Sequence, residues 1–366
     1  MAHEAQERYS ALVLAKVRKE LKLKDGVVFN NNYEGSPKAG AVKIPVRDTE
    51  VAVSDYDKAN GITANTGSTT YVTMNITKDK AVNEIIDGYD AESVPDNLVA
   101  DRLDSAGYAL AHQMDTDGAT TLLAGSTVIG VESLTKDNIY DKIIDVRTAM
   151  SEDNIPDDGR RYLLATPKCY AKILKSPEFV KASALGDSVV QTGAVGKIGG
   201  FLVIEWNDAT PGLAAIAGHP DFATRVGEFS VPVHIQDLSG SGKYIGASAV
   251  QGRNVYDHKV LRSIAIKAIF APGALTVSAA QGTATGDTKI TVTADSGCTL
   301  AYKVNPSERI AYGTTSTDYA GTALTSGTAK NLAASAGDIV EAAQFDANGK
   351  CNKVGYITLK TADIKT

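Results

Sequence analysis

Lys197, in the run GAVGKIGG at residues 193–200, is the place where the chain comes nearest to a phosphate-cradling loop. A Walker-type loop needs four residues between its two glycines and Ser or Thr after the lysine, so that backbone N–H groups and a hydroxyl meet the phosphates and their metal. Here Gly193 lies three residues before Gly196 and Ile198 follows the lysine, so nucleotide binding is not expected. The five histidines, His3, His112, His219, His234 and His258, are scattered with no ligand spacing, and no HExxH or EF-hand pattern occurs. No GxSxG elbow marks a nucleophile. Asp157-Asp158 could form a carboxylate pair, but acid–base work needs two carboxyls whose surroundings set their pKa values apart. Arg160-Arg161 stand beside them, which reads as a turn with local charge pairing. Asp101, Asp104, Asp115 and Asp117 read as a solvated or partner-facing helix stripe. No catalytic residue, cofactor or metal is expected, and the chain reads as a non-enzyme.

The composition agrees with a packed, soluble building block. The chain has 366 residues, 43% hydrophobic and 22% charged, enough for two or three folding units. The net charge of −6 argues against a basic nucleic-acid grip. MAHEAQERYS lacks the apolar core of a signal peptide, and no run approaches the ~18 apolar residues of a membrane span. Cys169, Cys298 and Cys351 form no CxxC; Cys298 and Cys351 could meet across a sheet, but a cytoplasmic product with reduced thiols is the expectation.

The elements follow from periodicity. YSALVLAKVRKELKL (9–23) predicts an amphipathic helix, with Val13, Val17 and Leu21 four apart on one face. Too short to fold alone, it packs on its own subunit or docks on a neighbour. Alternation over 41–53 and 71–77 predicts a long hairpin, whose polar tip carries Asp57, Lys58, Asn60, Gly61 and Asn65. An isolated ribbon is marginal in water, so this one should lie on something else. Ser93-Val94-Pro95-Asp96 predicts the start of a helix running to about Ala124, with Leu103, Ala106, Leu110, Met114 and Thr121 on one face. Helix (138–152), strand (162–165), helix (167–174) and strand (201–205) then alternate as an α/β unit. Strands are predicted at 229–236, 244–250 and 253–256, and another over 259–267. After Ala271-Pro272-Gly273 the composition turns to Thr, Ala, Ser and Gly, with eight basic and eight acidic residues, and short strands predict a β-sandwich over 272–366.

AMSEDNIPDDGRRYLLATPKCYAKILKSPEF, followed by GAVGKIGGFLVIEWND, resembles the major capsid proteins of tailed bacteriophages, which share the Hong Kong 97-type coat-protein fold. The residues that carry the resemblance are Asn154, Pro156, Gly159, Arg160, Pro167, Tyr170, Leu174, Gly196, Ile198, Gly200, Phe201, Val203 and Asn207, within one block of about sixty positions; outside it only the order of elements matches.

The resemblance implies an α+β chain: an N-terminal arm (1–39), an extended hairpin loop (40–78), part of a peripheral domain with a long spine helix (79–132), an axial domain (133–228), return strands (229–271) and an added immunoglobulin-like β-sandwich (272–366). It implies a structural subunit that self-assembles as hexamers and pentamers into an icosahedral shell around phage double-stranded DNA, held non-specifically, with the virion as its location. Its partners would be other copies of itself, a separate scaffolding protein, a portal and, as an optional addition, a cement protein, with no membrane. Met1 stands only about eight residues before the arm helix, which is why the scaffold is expected as a separate chain. Subunit contacts would fall on Val13, Val17 and Leu21 of the arm, on Asp57, Lys58, Asn60, Gly61 and Asn65 of the hairpin, and on Asp157, Asp158, Arg160 and Arg161 of the axial turn. Some members join a hairpin lysine to a neighbour's asparagine; Lys58 is the candidate donor, but no partner is identifiable and the cross-link is not expected. Two other readings remain: an encapsulin-like bacterial compartment of the same fold, and a surface protein whose sandwich makes weak glycan contacts.

Overall fold

The structure is a computed structural model, and it describes residues 18–33, 40–46, 53–62, 69–93, 98–177 and 196–366. The chain forms two compact units, one from residues up to Gly125 with Pro220–Leu261, the other from Ser126–His219 with Arg262–Thr366.

In the first unit, β1 (Ala41–Val46) pairs antiparallel with β2 (Thr70–Asn75), Ala41 facing Asn75 and Val46 facing Thr70, which is the expected hairpin. Period-2 alternation sends Ile44 and Met74 to one side, where they bury against Val226. The base is tied down by hydrogen bonds: Thr77 donates through N and Oγ1 to Asp257 Oδ2 (3.0 and 2.8 Å), and Lys259 Nζ donates to the Thr73 carbonyl (2.8 Å). β3 (Lys78–Ile86) follows, then a short unanticipated helix α1 (Gly88–Ser93). Ser93 is the last described residue of that helix. The long helix α2 runs Leu98–Gly125, 28 residues, and the segment expected to cap it lies outside the described residues.

The helix lies on a three-stranded sheet ordered β3, β10 (Ser248–Val260), β9 (Ala223–Asp237), all antiparallel. Ala106 of α2 packs with Ile86 and Val250 of that sheet, and Leu103, Val82 and Val233 close around them. Two expectations change here. Residues 18–24 carry no helix, and the rest of the expected arm helix lies outside the described residues. The strand expected over 259–267 is two strands, because the chain passes at Leu261–Arg262 from one unit to the other; a turn of 3-10 helix at Ser263–Ala265 makes the change.

The second unit is built on a mixed six-stranded sheet, ordered β4 (Thr127–Gly130), β11 (Lys267–Phe270), β8 (Leu213–Gly218), β5 (Tyr162–Ala165), β7 (Phe201–Glu205), β6 (Lys197–Ile198). Every residue of β5 and β8 is buried, as expected for central strands covered on both faces. Helix α3 (Ile139–Glu152) buries Ile139, Ile143, Val146 and Met150 at three- and four-residue spacing, and α4 (Pro167–Leu174) buries Cys169 and Ile173. Lys267 is buried beside Asp153 at 2.5 Å, a charge pair that hydrophobic alternation could not reveal.

The same unit carries the C-terminal β-module. One sheet has the order β12 (Gly273–Ala274), β19 (Cys351–Thr358), β18 (Ile339–Phe345), β15 (Thr299–Val304), β16 (Thr322–Leu324); the other has β13 (Val277–Gln281), β14 (Asp287–Val292), β17 (Lys330–Ala333). Ile290, Leu300, Leu332 and Val340 fill one core. Ala343, Phe345 and Val354 form a second, on which Ile310 and Tyr319 of the short helix α5 (Ser316–Tyr319) region close. Cys298 and Cys351 are both free thiols, and burial pushes the Cys351 thiol up to about 12.

Candidate functional site

The turn after helix α3 is closed by its own hydrogen bonds. Helix α3 ends in a Schellman motif: Ile155 N donates to the Met150 carbonyl (3.0 Å) and Asn154 N to that of Ser151 (3.0 Å). That geometry puts Asn154 at φ +57°, left-handed backbone that asparagine tolerates better than most residues. Gly159 at φ +82° makes the second reversal, where a side chain would be strained.

Arg161 fills the inside of this turn. Only 1% exposed, it donates through Nε to the Pro156 carbonyl (2.9 Å), through Nη1 to Ser151 Oγ (3.2 Å) and through Nη2 to the Ile155 carbonyl. Arg161 was expected to pair with Asp157, Asp158 or a neighbouring subunit; it is turned inward and its hydrogen bonds go to oxygens of its own turn, while, after the hydrogen bond from Arg147, its charge helps hold the Asp157 carboxyl below its usual range. The exposed charges are organised around it. Arg147 Nη2 meets Asp157 (2.8 Å), and Arg160 meets Asp158 through both N (3.0 Å) and Nε (2.7 Å). Buried His219 reaches Asp158 Oδ1 at 3.0 Å, and this bond with those from Arg160 holds the Asp158 carboxyl well below its usual range. Lys197, from the glycine-rich run, donates to the Gly159 carbonyl (3.2 Å); residues 193–195 of that run lie outside the described residues.

The hairpin tip is ordered by Asp57. Its carboxylate accepts from Ala59 N (2.9 Å) and Asn60 Nδ2 (2.5 Å), and these bonds depress its pKa; its backbone carbonyl accepts from Gly61 N (2.8 Å). Asp57, Asn60 and Gly61 thus shape the tip, while Lys58 projects from it exposed. At the hairpin the sequence reading named only polar residues and glycine, and it passed over the exposed apolar ones: Val53 is 98% exposed, and Tyr56, Ile62 and Tyr71 are exposed with it. On the same unit, Ile85, Tyr89, Phe229, Ile235 and Ile245 are also uncovered. Their signal was a large apolar side chain inside an otherwise polar loop or on an edge strand.

The described part of the arm is stapled to its own subunit. Arg225 donates through Nη2 to the Leu23 carbonyl (2.9 Å), through Nη1 to Asp25 (3.0 Å) and through Nε to His258 Nε2 (2.9 Å), and it lies over the Phe29 ring. Leu23 N donates to Asp115 (3.0 Å), and Tyr108 donates to the Lys19 carbonyl (2.9 Å). Leu21 is half-buried in this layer; Val13, Val17 and Asn65 lie outside the described residues.

The C-terminal module is docked through Tyr312. Its ring stacks on Phe270 (centroids 5.1 Å apart), its N–H donates to the Val131 carbonyl (3.0 Å), and Ala311 bridges to Glu132. The approach depends on Gly130, where an added Cβ would lie 2.1 Å from the Tyr312 carbonyl oxygen. No helix among the described residues is long and apolar enough to cross a membrane.

Residues 280–362 match the family described as the S-layer protein SbsC C-terminal domain, where the sequence had pointed to an immunoglobulin-like module. No curated protein matches the chain. Among solved structures, one from Mycobacterium phage Che8 superposes with a TM-score of 0.62 at 22% identity, covering 72% of this chain and 96% of that one. The capsid structure of cyanophage P-SCSP1u gives 0.61 at 15% identity, covering 73% and 92%. A structure from Gordonia phage Cozz gives 0.54 at 13% identity, covering 74% and 92%. The hairpin, the long helix on its sheet and the mixed α/β unit together are the Hong Kong 97-type fold of phage capsid structures, here with an all-β module added at the C-terminus.

Proposed function

We propose that this chain is a major capsid subunit, self-assembling as hexamers and pentamers into an icosahedral shell that encloses phage double-stranded DNA. The observation that carries the reading is the fold match, which spans nearly the whole length of the capsid chain of cyanophage P-SCSP1u. The uncovered apolar residues of the first unit support it, since water-exposed Val53 and Ile245 gain most when a neighbour buries them. Contacts of roughly 1,600 Å² per pair suffice for specific assembly, and a heterologous contact that closes makes a ring.

In this reading residues 1–39 are the arm, 40–78 the hairpin loop that overlaps a neighbour, 79–132 and 229–271 the peripheral parts, 133–228 the axial domain and 272–366 an outward-facing module. Asp157, Asp158 and Arg160 sit where axial turns of adjacent copies meet, and Lys58 and its apolar neighbours lie on the next subunit. The net charge of −6 suits an inner wall that must not grip DNA, since basic contacts would bind it strongly. A separate scaffolding protein and a portal complete the assembly, and the mature location is the virion. Negative-stain electron microscopy of the purified chain, with and without a candidate scaffold, tests this. Shells, tubes or ring-shaped capsomers are expected; a uniform monomer under all conditions would overturn it.

A further inference from the structure

The described arm lies along α2 as an extended strap. Arg18 Nη2 pairs with Asp104 (2.6 Å), Tyr108 donates to the Lys19 carbonyl (2.9 Å), and Leu23 N donates to Asp115 (3.0 Å). From Asp104 to Asp115 the helix rises about 16 Å at 1.5 Å per residue, and the arm from Arg18 to Leu23 spans the same length at about 3.3 Å per residue. Residues 18–24 carry no helix and join no sheet, so they are held at separate points. Asn30, further on, is tied to the backbone of β9: its N donates to the Ala223 carbonyl (2.8 Å), and its carbonyl accepts from Arg225 N (2.9 Å). The strap ends on Arg225, which donates to the Leu23 carbonyl, to Asp25 and, through Nε, to His258 Nε2 (2.9 Å). The last bond needs a bare nitrogen, so the His258 ring carries its proton on Nδ1, which is buried without a partner. His258 is 5% exposed, held between Phe29 and Tyr256, with Gly118 of α2 against its Nε2. The charges facing the ring are Arg225 from β9, Asp257 from its own strand, Asp117 from α2 and Lys78 from β3, with the Tyr256 hydroxyl bonded to Asp117 (3.0 Å); Asp25 and Asp115 face Arg225.

We infer that Arg225 and His258 form a proton-operated latch on the arm. A proton taken from solvent at His258 Nε2 occupies the lone pair that Arg225 Nε uses and sets two cations face to face. The guanidinium is driven off the ring, Leu23 and Asp25 lose their anchor, and residues 18–25 come away from α2 while Asn30 stays on β9. Burial, and then the charge of Arg225, lowers the His258 pKa from 6.5 to about 4. The detached arm leaves a ring that takes the proton more readily, so the latch holds fully above about pH 6.5 and loosens as pH falls towards 4. The arm yields before the sheet because point contacts open locally at lower cost than a paired ladder. The latch lies wholly in the first unit and stands whether or not the capsid reading holds.

The test is amide hydrogen exchange of the full chain, read by mass spectrometry at pH 7 and pH 4.5 and corrected for the intrinsic pH dependence of exchange. Peptides over residues 18–25 should lose about tenfold or more of their protection between the two conditions, while those over β3 keep theirs. His258→Gln, whose side-chain oxygen accepts from Arg225 Nε and takes no proton in this range, should hold the arm at both pH values. Asp25 and Asp115 remain in that variant, so an equal acid loss there belongs to the carboxylates and overturns the latch. Arg225→Gln should show an arm already unprotected at pH 7 and insensitive to acid; acid sensitivity that persists in it also overturns the latch. Wild-type arm protection that is the same at both pH values overturns it without any variant, as does a fall shared equally by β3.

Discussion

The hairpin and the C-terminal module are both β-structures, and they treat their apolar residues in opposite ways. The hairpin buries Ile44 and Met74 at its base but leaves Val53, Tyr56, Ile62 and Tyr71 in solvent. The module buries Ile290, Val340, Phe345 and Val354 in two cores and, among the described residues, exposes no large hydrophobic side chain at all. Its charges also balance, eight basic against eight acidic residues over 272–366. One region covers its large apolar side chains with its own chain; the other, among the described residues, leaves several of them in solvent, as the proposed assembly would require. The difference separates folding energy from association energy within a single polypeptide.

The largest effect on folding should come from protonating His258 in the first unit. His258 is buried against Phe29 and Tyr256, and burial, followed by the charge of Arg225, lowers its pKa from 6.5 to about 4. Other charges facing it are Asp257 and Asp117, which raise the pKa, and Lys78, which lowers it. A lowered folded-state pKa means that the unfolded chain takes the proton first. The stabilisation is therefore complete above about pH 6.5 and is lost as pH falls towards 4, by about 3 kcal/mol in all. Denaturant titrations at pH 7 and pH 4.5 should show this loss in the wild type and a smaller one in His258→Gln, the carboxylate losses common to both cancelling in the difference.

The next effect concerns the module's docking. Tyr312→Ala removes the stack on Phe270 and the ring's contact with Gly212, at a cost of about 2 kcal/mol. A lower Tm and faster proteolysis at Ala271-Pro272 are expected; an unchanged melting curve would show that the module contributes nothing to its unit. The smallest folding effect belongs to the hairpin side. Val53→Ser with Ile245→Ser should leave Tm unaltered to within about 0.5 kcal/mol of stability, because neither side chain has much to lose in the isolated chain. The same pair should abolish or slow assembly followed by light scattering. Full assembly of that double variant would erase the contrast between the two regions.

Much of the fold was legible because its signals are local. Alternation around Ile44 and Met74, the four-residue spacing in α3 and α4, and the turn residues Asn154 and Gly159 each act over a few positions. The arm and the strand over 259–267 misled for the same reason. A pattern that satisfies one period says nothing about where the chain must leave a sheet, and the described arm residues serve as a strap fixed by Arg225 rather than as a helix. Of the candidate contact residues, Lys58 is exposed at the tip and Arg161 is turned inward; the exposed apolar tip residues carried weak signals amid polar neighbours.

From residue order alone came the alternation of strands and helices, the compositional change near residue 272 and the lack of any spacing suited to catalysis, because each depends on near neighbours along the chain. The partners of Arg161, the bond from Arg225 to His258, the unpartnered oxygen of Asp115 and the stack of Tyr312 on Phe270 belong to three-dimensional packing. Arg225 and Leu23 lie some 200 positions apart, and Phe270 and Tyr312 sit in different sheets' surroundings. Polar groups and rings seek whatever partner the closed fold brings within reach, and no periodicity records that choice.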